Sequence, residues 1–541
     1  GVIDWILKAL VGGGLRMAEA LVACAPTLLV GLFIAGVLRY YIGREGTRKL
    51  FGGDSLRCLP QSWAIGMLLP VCSIGVIPIL FEMKRAKMKT GAMSAFALSA
   101  PLFNPLSLLY GVTLSRPYII LMFAFASLAV VTLVGLIWDR FSRSNDLTET
   151  ASGDDRDSTA IGIHRIGLFF VYVARQVAGP SGGWALVAGL GVAALAAVLP
   201  WGALGSAMGR DDPTAPLSMA GVAIPAYAPP LMVMGQLGLM FQHANSPGAA
   251  FVLLVIGAGV NAATIGWLMR QFGIRSVAIW FASLMVIVLS LAYAVNKPLI
   301  PPGVNPSGHT HAFDVYSNPV HQLDSSLGNV IRKAVDEKFD LVARIATVFF
   351  GGLILFGVVF RILGVKDFGK RPTGDSDLNS DPTVSGDDSS AVPQLKGDRI
   401  VSPQVVGGTL IAGLVAISIV MCYAFYPSPE ECLEEIRYIR SEVISSVRSG
   451  DSEHAKFWIP RWDEWTRRME VGAFLRSGEV TPYQRMQGFL LRQKLDVLEH
   501  ELGHKDLELS TRSRLAVELT LSDSRFTRAY RKPFRRSNST E

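Results

Sequence analysis

Hydrophobic runs without any formal charge alternate along this chain with short basic loops. From Cys58 to Phe81 there is no Lys, Arg, Asp or Glu, yet Pro70, Gly75 and Pro78 interrupt the run. An unbroken helix avoids proline, and irregular backbone at membrane depth is tolerated where it lines a cavity or is buried in protein. A second uncharged run, Thr90 to Ser115, carries its own interruption at Pro101-Leu102-Phe103-Asn104-Pro105. The pair predicts a broken hairpin followed by a broken helix. Transporters build substrate sites from such discontinuous elements.

The second half has the same plan. The uncharged region Pro213 to Met269 contains Ala223-Ile224-Pro225-Ala226-Tyr227-Ala228-Pro229-Pro230 and then Gly235, which predicts a second hairpin. Gly91-Ala92 starts a run that reaches Asn104 thirteen residues on, and Gly248-Ala249 starts one that reaches Asn261 at the same spacing. The expected fold is an all-α polytopic membrane protein. Its core is an inverted repeat, each copy having three spans and a re-entrant hairpin, followed by two extra spans and a helical soluble tail. The expected segments are an amphipathic stretch at 1–16, repeats at 17–138 and 181–296 separated by a cytoplasmic linker at 139–180, and a polar extracytoplasmic loop at 297–341. The extra spans fall at 342–426 around a disordered linker at 364–399, and the tail at 427–541. Gly1 to Arg16 lacks the pattern of a signal peptide.

Charge orients this scheme. On the expected cytoplasmic side the loops carry 16 Lys and Arg, against 6 on the other side, the bias of a multi-pass inner-membrane protein. Both ends of the first hairpin then lie on the cytoplasmic side. Of 541 residues, half are hydrophobic and 18% charged, with a formal charge of +7. Because the basic residues sit beside apolar spans, they argue for a lipid bilayer as partner and against nucleic acid. A homo-oligomer is compatible with the sequence. The five cysteines show no CxxC pairing, no Walker A sequence is present, and no cofactor is expected.

Candidate substrate-binding residues follow from the interruptions. Cys72, Ser73 and Gly75 offer a thiol, a hydroxyl and open backbone at the first turn, and Asn104 is an amide in an apolar span. Pro225, Tyr227 and Asn261 are the counterparts in the second half. Each has a plainer reading as a packing or backbone-supporting residue, because an unpaired polar group in a span is costly. No acidic or basic residue lies within the hairpins and central spans, which favours a small neutral or soft solute. In the loop at 297–341, His309, His311 and His321 have the chemistry to bind a divalent metal, with a polar loop as the alternative. The tail contains His500-Glu501-Leu502-Gly503-His504, the HExxH pattern of zinc hydrolases. Leu507 and Ser510 stand where the extended form of that pattern has Gly and His, so a membrane-tethered zinc hydrolase is the alternative function.

The run Pro70-Val71-Cys72-Ser73-Ile74-Gly75-Val76-Ile77-Pro78, followed by Gly91 and Ala100-Pro101-Leu102-Phe103-Asn104-Pro105, resembles the predicted permease family that includes the ArsP organoarsenical efflux permeases and YraQ-like proteins. The resemblance covers about Met17 to Val295, including Ala25-Pro26 and Gly31. It implies a polytopic inner-membrane permease, with efflux of trivalent organoarsenicals in the ArsP branch. Family members commonly carry Cys-Ser-Cys-Gly at the hairpin turn. Here the second cysteine is replaced by Ile74, so the hairpin offers one thiol and no paired-thiol site is expected from it.

Overall fold

A computed structural model describes residues 2–113, 117–141, 163–200, 202–204, 207–296, 312–320, 341–363, 402–503 and 508–531. Among these residues the architecture is all-helical. Six helices are long and apolar enough to cross a membrane, or seven if the bent pair Pro247–Ala258 and Ala262–Phe272 counts as one span. The expected disorder of the linker at 364–399 lies outside the described residues.

The first helix, α1 (Val2–Val37), runs on through a π-helical turn at Leu38–Ile42 into α2 (Gly43–Leu50). Thirty-six residues rise about 54 Å, well beyond the roughly 30 Å of bilayer hydrocarbon. No break separates Val2–Arg16 from the span that follows it. The glycine run at its start permits close packing instead of ending the helix. A Cβ on Gly12 would lie 1.9 Å from the Asn318 side chain, and one on Gly13 2.8 Å from the Ala193 carbonyl. Arg16 fastens the same region by donating to the carbonyls of Ser317 and Asp314, each at 2.9 Å.

The first hairpin is α3 (Cys58–Leu68) and α4 (Val76–Arg85). Proline disfavours the helical conformation for the residue before it, and Leu69, ahead of Pro70, is extended at φ −94°, ψ 129°. Next comes the broken helix, α5 (Thr90–Ser99) and α6 (Pro105–Thr113), and then α7 (Pro117–Phe141). After α8 (Ile163–Val177) and α9 (Pro180–Val198), the order hairpin, broken helix, long helix recurs. Its elements are α10 (Ala215–Ala223) with α11 (Pro230–Gln242), α12 (Pro247–Val252) with α13 (Ala262–Phe272), and α14 (Ile274–Ala294). A π-helical turn at Leu253–Ala258 extends α12, and the chain bends by 56° before α13. Helix α1 packs along α9, and α7 packs along α14.

Two longer helices follow, α15 (Leu341–Ile362) against α8 and α1, and α16 (Pro403–Phe425) against the π-helical turn after α1. The tail folds as four helices, α17 (Pro429–Ser449), α18 (Ser452–Ser477), α19 (Pro482–Gly503) and α20 (Leu509–Arg531). They enclose a core of their own that includes Trp462, Leu491, Leu495 and Phe526. The tail sits on the ends of α6 and α11. Tyr426 donates to the Leu106 carbonyl at 2.9 Å, Arg467 donates to Gln242 at 3.1 Å, and His243 lies 3.2 Å from Asp496. Cys422 and Cys432, at the junction, are both free thiols.

Candidate functional site

The interruptions meet in the interior. At the first hairpin the Gly75 N–H donates to the Cys72 thiol sulfur at 3.4 Å and the Val76 N–H donates to the Cys72 carbonyl at 2.9 Å, so Cys72 ends the irregular turn and starts α4. This turn lies against the middle of α1 with no side chain between them. A Cβ on Gly31 would stand 2.0 Å from the Gly75 carbonyl oxygen, and one on Gly75 2.7 Å from the Thr27 carbonyl oxygen. Two glycines therefore set how closely the turn approaches the span.

Asn261 joins the first hairpin to the second broken helix. Its side-chain oxygen accepts from the Thr264 N–H at 3.0 Å, capping α13, while its amide donates to the Ser73 hydroxyl at 2.7 Å. The Thr264 hydroxyl is within 3.3 Å of the Ser73 carbonyl, to which it donates. Asn104 has the same capping role in α6, where the Ser107 N–H donates to its side chain at 2.8 Å and its own N–H donates to the Ser107 hydroxyl at 3.0 Å. Its side chain turns onto its own helix and makes no described bond to the hairpin. The two breaks are nevertheless neighbours, because a Cβ on Gly259 would lie 3.0 Å from Leu102.

Tyr227, from the second hairpin, lies between two cysteines. Its buried hydroxyl has no hydrogen bond of ordinary geometry, but it lies beside the thiols of both Cys72 and Cys24. Cys24 comes from α1, one helical turn from Thr27, and is buried with its thiol on the Leu21 carbonyl at 3.2 Å. The hairpin itself carries the one thiol that its sequence shows, and a second thiol stands beside the same tyrosine from another helix, α1. Pro225 lies at the edge of this group, its carbonyl 3.0 Å from where a Cβ on Gly191 would be, with Ala262 next to it. The structure thus brings together Cys72, Ser73, Gly75, Tyr227 and Asn261, sets Pro225 beside them, and leaves Asn104 at the adjoining break. Sequence reading missed Cys24 and Thr264 as members of the group. Thr264, three residues after Asn261, has the spacing of a capping partner, but no local signal marks Cys24.

Cys72 and Asn261 are 0% exposed and Cys24 is 1% exposed, so the group is closed to solvent, and it contains no carboxylate or cation. Glu82, toward the end of α4, is engaged by Arg39 at 3.3 Å, Arg85 at 2.9 Å and the Tyr172 hydroxyl at 2.9 Å. Among the described residues no three His, Cys, Asp or Glu side chains form a cluster able to hold a metal. The candidate ligands His309, His311 and His321 lie outside the described residues. In the HExxH segment, His500 and Glu501 end α19 and His504 is outside the described residues.

Long apolar helices around paired, interrupted elements whose breaks meet at a buried polar centre define a multi-pass membrane permease. Residues 16–297, more than half of the chain, match the profile of the ArsP predicted-permease family, and the chain belongs to that family. UPF0718 protein YcgR of Bacillus subtilis (strain 168) is 23% identical over 273 residues, covering 50% of this chain and 92% of that protein. No solved structure matches. The two extra spans and the tail fall outside the matched region, and the comparisons give a hydrolase no support.

Proposed function

We propose that the chain moves a small neutral or soft solute, such as a trivalent organoarsenical or soft metal species, outward across the cytoplasmic membrane. The observation that carries this reading is the meeting of Cys24, Cys72 and Tyr227 in a buried, uncharged interior. Two thiols capture a methylated arsenic(III) dihydroxide by forming two S–As bonds, each thiol proton leaving with a displaced hydroxide as water. Ser73 and Asn261 hold the hairpin that presents Cys72, with Gly75 giving the close approach, and Asn104 and Pro225 shape the adjoining breaks. The recurring order of hairpin, broken helix and long helix supports an inverted repeat in which two opposed hairpins alternate access to this centre. A charged solute would meet no compensating group there, and an isolated charge at membrane depth is costly.

Uptake of trivalent methylarsenical into everted membrane vesicles tests the reading. Cys24→Ala and Cys72→Ala are each expected to lower uptake by at least about tenfold, a loss of roughly 1.4 kcal/mol of stabilisation, with the protein still inserted. Full uptake in both variants overturns the site. Uptake of an uncharged solute that does not react with thiols, lost equally in both variants, would retain the permease and exclude thiol capture.

A further inference from the structure

A groove of about 480 Å³ opens on the basic face of the molecule, away from the buried centre, between the end of α4, the start of α9 and the end of α13. Phe81, Pro180, Trp184 and Val187 make its walls apolar. Gly179 and Gly183 leave its floor without side chains, and Arg270 with Gln271 lies at its rim. The exposed residues Leu186 and Leu190 continue the apolar surface along α9 beyond Val187.

The rim is electropositive from two independent sources. Arg270 is exposed, and Lys84 is drawn to the same corner by donating to the Gln271 side chain at 2.8 Å and its carbonyl at 3.2 Å. Basic pockets between spans on the cytoplasmic side suit acidic lipid headgroups. A free anion would gain nothing from the aromatic and aliphatic walls, and an uncharged lipid nothing from the rim.

We infer that this groove is a binding site for an anionic glycerophospholipid of the adjacent leaflet, its phosphate at Arg270 and an acyl chain along Trp184, Val187 and Leu190. The site is separate from the proposed solute centre, so its test is independent of transport. The full chain is placed in nanodiscs of equal phosphatidylglycerol and phosphatidylcholine, extracted gently, and the lipid it retains is counted by native mass spectrometry. Phosphatidylglycerol is expected to be retained about fivefold over phosphatidylcholine, from roughly one basic group near a membrane surface. Arg270→Gln should bring the ratio close to one. Gly183→Leu should lower retention of both lipids, because a Cβ at Gly183 meets nothing within 4 Å and the larger side chain fills the groove without disturbing its walls. An unchanged melting temperature establishes that each variant is folded. The inference is overturned by equal retention of the two lipids in the wild type, by an unchanged ratio in Arg270→Gln, or by undiminished retention in Gly183→Leu. Displacement of phosphatidylglycerol by millimolar inorganic phosphate would also overturn it, by identifying the rim as an anion site that needs no lipid.

Discussion

Asn104 and Asn261 stand at matching breaks and cap α6 and α13, but their removal should have unequal effects. Asn104→Ala deletes a cap, a loss of about 1 kcal/mol. Ser107 keeps its other bonds there, accepting from the Asn104 N–H at 3.0 Å and donating to the Asn104 carbonyl at 3.2 Å. Asn261→Ala deletes the same kind of cap and also the 2.7 Å bond to the Ser73 hydroxyl, which is 1% exposed. Leaving a buried hydroxyl without its partner adds about 1–3 kcal/mol, so Asn261→Ala should cost about 2–4 kcal/mol against about 1 for Asn104→Ala. Unfolding free energies, measured by titrating a denaturing detergent into mixed micelles, read the difference. In a Ser73→Ala background the excess at Asn261 should fall to within about 0.5 kcal/mol. Equal costs for the two asparagines, or an excess that persists in Ser73→Ala, would refute the argument that Asn261 secures the hairpin.

At Gly31 a Cβ would stand 2.0 Å from the Gly75 carbonyl oxygen, so Gly31→Val should destabilise by about 3 kcal/mol or more, while Gly14→Ala, with open space around it, should leave the melting temperature unlowered. Tyr426→Phe removes the bond to the Leu106 carbonyl and should weaken tail docking by about 1 kcal/mol, seen as faster proteolysis between α16 and α17 with the four-helix core intact. In the tail, burial raises the Glu470 carboxyl above its ordinary range against the opposing pull of Arg492 and Arg467, with Asp463 adding to the rise. A carboxyl whose pKa is raised by folding gives stability that is fully present below its unfolded value near 4.5 and is lost as pH rises through the folded value. Amide exchange in α18 and α19 of the full chain should therefore quicken as pH rises from about 4.5 after correction for intrinsic exchange, and Glu470→Gln should flatten that dependence.

The breaks were legible because they are local. Pro70 biases Leu69 away from the helix and Leu69 is extended, and Pro105 and Pro230 open new helices where the sequence places them. The capping role of the asparagines was also written locally, as Asn104 with Ser107 and Asn261 with Thr264, although a reading that looked for hairpin support or substrate contact did not use that spacing. What could not be read is the company of Cys72. Cys24 is 48 positions upstream in an ordinary-looking span, and only the Gly31 and Gly75 contact brings α1 close enough for its thiol to reach the turn. The same holds for the α1 start, where a glycine run that resembles a helix break serves the approach of Asn318 and Ala193. The tail's position on α6 and α11 rests on Arg467, Asp496 and Tyr426, whose partners are hundreds of residues away.

The distribution of bonds around the first hairpin indicates which parts would move together during transport. Helix α4 is tied to the π-helical turn after α1 and to α8 through Glu82, which is nearly fully buried and held by Arg39 and Tyr172. Breaking that cluster would strip the carboxylate of Arg39 and Tyr172 and leave it only Arg85 of its own helix, at a cost of about 1.5–3 kcal/mol for each charged hydrogen bond lost. Toward α13 the described bonds are of a different kind: Asn261 and Thr264 to Ser73, and Lys84 to Gln271. When the seam opens to solvent, water takes the place of the partners of Ser73, so the penalty of a buried unpaired hydroxyl does not arise and the cost is that of the neutral hydrogen bonds themselves, on average about 0.6 kcal/mol each, less than separating α4 from Arg39 and Tyr172. Alternating access by the proposed route therefore has α1, α4 and α8 moving as one body against α13, with Ser73 and Asn261 at the parting line and Cys72 carried on the side of α1. A crosslink between cysteines introduced at Arg39 and Glu82 should then leave transport intact, while one joining Ser73 to Asn261 should stop it. Loss of transport from the Arg39–Glu82 crosslink alone would place the moving boundary on the other side of α4.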